Sequence, residues 1–258
     1  MRRSVDWDWN TMPLSKSMVQ SFEQCPYRFF LQFIEKRPLD KTPEMEQGNW
    51  LHDALEQLYD KVDKPAVTTR ELLAEHYTKH LPFCKPMVNF VSLEQTRWER
   101  MEDKSYFWPK LTEAFLYDEK LHFYGTLDRM DINEKGEAEI IDYKMGKFHK
   151  WLESKYRFEL MGYKHLVMSS REELKTRGVE FKSVKYGVLV FLGDDRPITW
   201  PQELKAVTER AFYAKLPRIR ESIKGCHHAN EWDKKSTPLC SWCPYFGLAC
   251  VHDQIGRT

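Results

Sequence analysis

An α/β fold is what the chain predicts, and three features predict it. Apolar residues recur at helical spacing through the first sixty positions. Two segments around residues 123–144 carry strand signals on either side of a glycine-containing turn. The run YGVLVFL at Tyr186–Leu192 is continuously apolar, as a buried strand reads. Strands alternating with helices bury their apolar faces best as a helix-flanked sheet. The 258 residues suit one large domain or a core with an inserted subdomain. Apolar residues make up 41% of them, enough to exclude a disordered chain.

Each element has its own signal. Ser15 to Phe33 reads as a helix: Ser15 caps it, and Val19, Phe22, Tyr27, Phe30 and Phe33 share a face. Pro26 should kink or split it, because proline lacks the amide proton and crowds the preceding turn. A second helix is expected from Glu44 to Tyr59, with Trp50, Leu51, Leu55 and Leu58 apolar. Residues 65–120, punctuated by Pro82, Pro86 and Pro109, read as a helical, irregular insertion that can act as a lid. Phe123–Ile132 and Ala138–Lys144 follow as strands, then Tyr156–Met168 as a helix. Pro201 is placed to open a helix running to Ala214. Residues 225–258 form a tail rich in Cys, His, Trp and Pro with little regular pattern.

Charge and composition narrow the function. A formal net charge of +1 supplies no global field for nucleic acid, so any such binding needs a local basic groove. No stretch has the apolar length of a membrane span, and MRRSVDWDWN lacks the apolar core of a secretory signal. A cytoplasmic protein is expected. There the six cysteines are metal ligands or buried thiols rather than disulfides.

The densest chemistry lies in YGTLDRMDINEKGEAEIIDYKMGK. Asp142 and Lys144 are two apart on a strand and share a face. If Asn133 pairs with Glu137, the loop is Glu134-Lys135-Gly136, and Gly136 supplies the left-handed residue that such a three-residue loop wants. That register sets Asp128 across from Asp142; a slip of one residue would separate them. Two close carboxylates favour a divalent cation, Mg²⁺ or Mn²⁺ by their hard oxygens. Such a cation polarises a phosphodiester and activates water, with Lys144 positioning that water or steadying developing charge.

These residues resemble a known family. G-x-x-D at Gly125–Asp128 followed by I-I-D-Y-K at Ile140–Lys144 resembles the PD-(D/E)XK nuclease superfamily in its RecB-like branch. The resemblance implies a restriction-endonuclease-like core, a mixed central sheet flanked by helices. It implies Asp128 and Asp142 as metal ligands, the Tyr143 carbonyl as a further ligand, and Lys144 as the catalytic lysine. Gly48-Asn49-Trp50-Leu51-His52 resembles the branch's upstream G-x-x-x-H helix, which makes His52 a ligand too. Glu159-x-x-x-Tyr163 falls where the branch has Q-x-x-x-Y; Tyr163 matches and would meet the DNA strand, whereas Glu159 departs.

Cys240-Ser241-Trp242-Cys243 with Cys250 six residues on makes three thiols that need a fourth partner, and Cys25 is the candidate. One N-terminal and three C-terminal cysteines resemble the iron–sulfur members of that branch, the AddB nuclease domain and the CRISPR-associated RecB-like exonucleases. The resemblance implies a structural [4Fe-4S] cluster joining the tail to Cys25. Zinc is the rival, with Cys226, His227, His228 and His252 nearby; Cys84 and Cys226 are read as non-ligands of the cluster.

Lys147, Lys150, Trp151, Lys155 and Arg157 interleave positive charge with aromatic surface just after the motif, as a strand of DNA would require. Lys16 and Arg28 are expected on the same groove. The function implied is a metal-dependent DNA nuclease, an exonuclease preferring single strands or free ends, in recombination, repair or end processing. No P-loop motif occurs, so an unwinding motor would be a separate helicase partner. The alternative is a non-catalytic DNA-binding or scaffold subunit of a recombination or CRISPR adaptation complex. Intact Asp128, Asp142 and Lys144 argue against it.

Overall fold

The computed structural model describes residues 8–38, 43–56, 58–59, 69–80 and 84–250. Ser15 caps α1 (Lys16–Gln24) as expected, its hydroxyl accepting from the Met18 amide at 3.3 Å. Pro26 ends that helix and opens α2 (Pro26–Phe29), which loosens into a π-helical turn over Phe30–Ile34. Upstream, β1 is only Leu14–Ser15. Helix α3 spans Pro43–Glu56, α4 Arg70–His80 and α5 Lys85–Arg100. Then come β2 (Leu111–Asp118), β3 (Phe123–Ile132) and β4 (Glu137–Lys144). Helices α6 (Glu153–Ser169) and α7 (Arg171–Thr176), strands β5 (Ser183–Phe191) and β6 (Ile198–Glu203), and α8 (Ala206–Ala229) follow.

The six strands form one mixed sheet. β3 pairs antiparallel with β2 and β4, β4 pairs parallel with β5, and β5 pairs antiparallel with β6. The β3–β4 hairpin has the expected register. The Asn133 amide donates to the Glu137 carbonyl at 3.0 Å, and Gly136 takes a φ of 75°.

One edge of β3 is shared. β2 covers the far edge from Phe123 to Met130, so β1, parallel at Phe123–Tyr124, and β4, at Arg129–Ile132, must lie along the near edge. Between them the ladder opens into a fork beside residues 125–128. That fork positions the site.

Apolar side chains pack both faces. On one, Ile140, Leu127 and Phe123 meet Val19, Leu160, Leu166 and Phe212 of α1, α6 and α8. On the other, Ile141, Tyr143, Val188 and Val190 meet Leu51, Tyr77 and Phe90 of α3, α4 and α5.

Three expectations are corrected. Residues 111–118 are not part of a helical insertion but strand β2 of the core sheet. The start of that insertion, at 65, lies outside the described residues. Its helices α4 and α5 buttress the back of the sheet and, among the described residues, contribute nothing to the cleft, so they do not form its lid. Pro201 sits in β6 opposite Val188, not at a helix start. β6 is an edge strand, where a missing amide proton costs no ladder bond. No described helix is long and apolar enough to cross a membrane.

Candidate metal centre and active site

The fork gathers the carboxylates. Beyond Arg129↔Ile141 the two strands diverge, and the same register continued sets Asp128 beside Asp142. Asp128 spans the opening by accepting the Tyr143 backbone amide on Oδ2 at 2.8 Å. Both aspartates are buried.

His52 comes from α3. Its Nδ1 lies 2.8 Å from Glu113 Oε1 and 3.7 Å from Asp128 Oδ1. His52, Glu113 and Asp128 each bring a donor atom to within 4.8 Å of one another. Glu113 was missed by sequence reasoning, which had assigned its segment to the insertion. It stands across from Asp128, between the pairs Thr112↔Arg129 and Ala114↔Leu127, with a left-handed φ of 41°. A non-glycine residue held there stores strain of about 1–3 kcal/mol. The strain accompanies a carboxylate aimed at His52. The trace in the sequence is the broken alternation of LTEAFLYD, where strict period two would place an apolar residue at Glu113.

Asp142 is held from the other side. Tyr163 donates to its Oδ1 at 3.0 Å, and Lys16 does so at 3.0 Å. Lys144 pairs with Oδ2 at 2.6 Å, and with Glu159 Oε1 at 2.7 Å. Lys16 also hydrogen-bonds Glu159 and Tyr163. The buried Tyr163 hydroxyl therefore props Asp142, and its side chain lines the same cleft. Gly125 lies against α6: a Cβ there would meet Leu166 at a tight 3.3 Å and the Tyr163 ring at an ordinary 3.6 Å.

Protonation follows from these contacts. Burial pushes the Asp128 carboxyl well above its usual range and neighbouring Asp142 adds to this, against His52, Lys16 and Lys144. Burial acts the same way on Asp142, but Lys144 and Lys16 overcome it and hold Asp142 ionised. Burial disfavours the imidazolium of His52, yet the Glu113 hydrogen bond and the Asp128 charge outweigh it and raise the pKa to about 9. Lys144 loses hydration but gains Asp142 and Glu159, so it rests above its ordinary value as a firm ammonium.

The donor set fits a divalent cation. Two carboxylates and an imidazole suit Mg²⁺ or Mn²⁺. Asp142 Oδ2 is buried, with the Lys144 ammonium 2.6 Å away as its charge partner. The Tyr143 phenol points away from it, buried against Arg129 at 3.0 Å.

The expected DNA residues divide. Lys155 feels the charges of the site: burial lowers its pKa, Glu159 opposes, and Lys144, Lys16 and Arg28 add to the lowering. Trp151 is exposed. Arg157 turns aside to Glu153 at 3.1 Å and Gln202 at 3.2 Å. Lys147, on the loop after β4, and Lys150, at the start of the 3-10 turn Lys150–Leu152, are both exposed.

A second cavity holds Cys25, Cys240, Cys243 and Cys250 together beside Tyr27 and Arg28. The tail reaches α2 through its own contacts. Tyr27 donates its hydroxyl to the Ala249 carbonyl at 3.3 Å, and Trp232 stacks on Phe30 at 5.2 Å. None of the four is disulfide-bonded, and the Cys250 thiol is pushed up by burial, with Lys234 opposing and the other three cysteines adding to the rise. Cys84 and Cys226 lie outside this cavity, and His227 stacks on Trp9 at 4.1 Å. His252 lies outside the described residues.

A solved structure agrees with this fold. A protein from Eubacterium rectale, described provisionally as an exonuclease, superposes with a TM-score of 0.53 at 15% identity, over 99% of this chain and 96% of that one. The solved protein SSO0001 aligns over 80% of this chain and 96% of its own at 14% identity, with a TM-score of 0.36. No functionally curated protein is significantly similar in sequence. The family model for the PD-(D/E)XK nuclease superfamily matches residues 13–248, which takes in every element of the fork, and the chain belongs to that superfamily.

Proposed function

We propose that this chain is a Mg²⁺- or Mn²⁺-dependent deoxyribonuclease acting as an exonuclease on single-stranded or free-ended DNA. The observation that carries it is the convergence of His52, Glu113 and Asp128 with Asp142 and Lys144 in one cleft. His52, Glu113 and Asp128 would hold the cation, with Asp142 and the Tyr143 carbonyl completing its surroundings. When bound, it supplies Lewis acidity to the phosphodiester and its attacking water. Lys144 stays protonated, so it acts as a donor that orients water and steadies the charge gathering on phosphate oxygens. The likeness to a protein provisionally described as an exonuclease supports that mode. Lys155, with Arg28, supplies the positive rim for the strand, beside exposed Trp151. Recombination, repair or end processing suits such an enzyme, with any unwinding left to a separate helicase.

The test is cleavage of end-labelled single- and double-stranded DNA with Mn²⁺ or with chelator. Lys144→Ala should lower the rate on the order of 100- to 1,000-fold. Equal rates for both proteins would remove Lys144 from the chemistry.

The four cysteines are proposed to hold a [4Fe-4S] cluster, with zinc the rival ligand. Four thiols lining one cavity at the junction of tail and α2 support a structural centre. Protein purified without oxygen should contain iron and sulfide; stoichiometric zinc in colourless protein reverses the assignment.

A further inference from the structure

Strand β1 ends at Ser15, paired with Tyr124, and the chain then delivers Lys16 into the fork between β3 and β4. Its ammonium bonds Asp142 Oδ1, Glu159 Oε1 and the Tyr163 hydroxyl, and lies 4.6 Å from the Tyr163 ring centre. An ammonium has three N–H donors, and these acceptors use all of them. Lys144 meets the same two carboxylates, Asp142 at 2.6 Å and Glu159 at 2.7 Å. Two anions and two cations thus form a closed, neutral quartet in which each cation touches each anion.

We propose that Lys16 is a positioning residue, charge-matched to Glu159, that keeps Lys144 and Asp142 in their working places; this rests on the nuclease reading above. Glu159 is 4% exposed, and a carboxylate so buried needs a cation. Were Lys144 alone available, it would serve two carboxylates and be drawn off toward α6. Lys16 shares both anions and leaves Lys144 between them. With no N–H left over, Lys16 is not a grip for a DNA phosphate.

The charges make the idea testable. Lys16→Met leaves the quartet one unit negative, Glu159→Gln leaves it one unit positive, and the double variant is neutral again. Binding of Mn²⁺ alone, followed by calorimetry, should tighten in Lys16→Met and weaken in Glu159→Gln, each on the order of tenfold. The double variant should return to within about threefold of the starting protein. In DNA cleavage, Lys16→Met should lower kcat on the order of 100-fold with KM for DNA unchanged, and Glu159→Gln on top of it should restore most of the loss. Mn²⁺ shifts of the same sign in the two single variants overturn the proposal. So does a double variant as slow as Lys16→Met, or an effect of Lys16→Met confined to KM. Should Lys16→Met fail to fold, Glu159→Gln and the double variant, which leave no lone buried carboxylate, still decide the matter. Absence of cleavage in the unsubstituted protein would count against the nuclease reading, while the Mn²⁺ arm would still judge the pairing.

Discussion

His52 is a cation in the metal-free fold because Glu113 and Asp128 hold its proton against the cost of burial. A divalent ion must expel that proton, along with whatever proton Asp128 retains. Mn²⁺ affinity should therefore climb about tenfold per pH unit between roughly pH 7 and 9 and then level off, as calorimetry across that range would show. Metal-free stability runs the other way. A group whose folded pKa is raised stabilises fully below its unfolded value, near 6.5, and loses that contribution as pH rises through about 9. Denaturant titrations should show this decline, and His52→Ala should flatten it. Glu113 is the second residue to probe. Glu113→Gln removes a full negative charge from the donor group and should weaken Mn²⁺ by at least about tenfold. An unchanged affinity would make Glu113 a mere partner of His52.

At the scale of elements, the hairpin does most of the aligning. Gly136 sets the loop, the loop sets the register, and the register faces Asp128 toward Asp142. Behind it lies a buried ionic network that binds α5 to strands β3 and β4. Arg129, fully buried, reaches Asp131 at 2.8 Å, Glu94 at 3.1 Å and the hydroxyls of Tyr59 and Tyr143 at 3.0 Å each. Arg97 joins Glu94 and Asp131 at 3.0 Å each. Arg129→Met strands carboxylates in the interior and should cost about 3–5 kcal/mol in equilibrium unfolding. A loss under about 1 kcal/mol would mean that water already reaches the network.

At the scale of the molecule, the tail returns across most of the chain to meet α2. Tyr27, Trp232 and Tyr245 make that contact, the last donating its hydroxyl to the Arg37 carbonyl at 3.3 Å. The segment is irregular, so a cross-link at Cys25, Cys240, Cys243 and Cys250 would add to its hold. Closing so long a loop stabilises by about 5 kcal/mol in the entropy model. Cys243→Ala should lose bound metal and lower the unfolding midpoint, with tail proteolysis rising first. Unaltered metal content would exclude Cys243 as a ligand.

Much of this was legible in the residue order. Local chemistry determined the Ser15 cap, the break at Pro26, the Gly136 turn and therefore the pairing of the two aspartates, because each depends on neighbours a few positions away. The motif spacing determined the superfamily, and with it the expectation of a metal. What only the tertiary structure decided was long-range. β2 was hidden within a helix-like stretch because its strand period breaks at Glu113, the residue whose backbone is bent toward the metal group. β6 was obscured by Pro201, which is tolerated only because the sheet ends there. Lys16 looked like one basic residue among many until the short β1 set it inside the fork. Charge partners such as Lys16, Glu159 and Asp142 lie more than a hundred residues apart in the chain or on separate elements, and only the closed sheet brings their fields together.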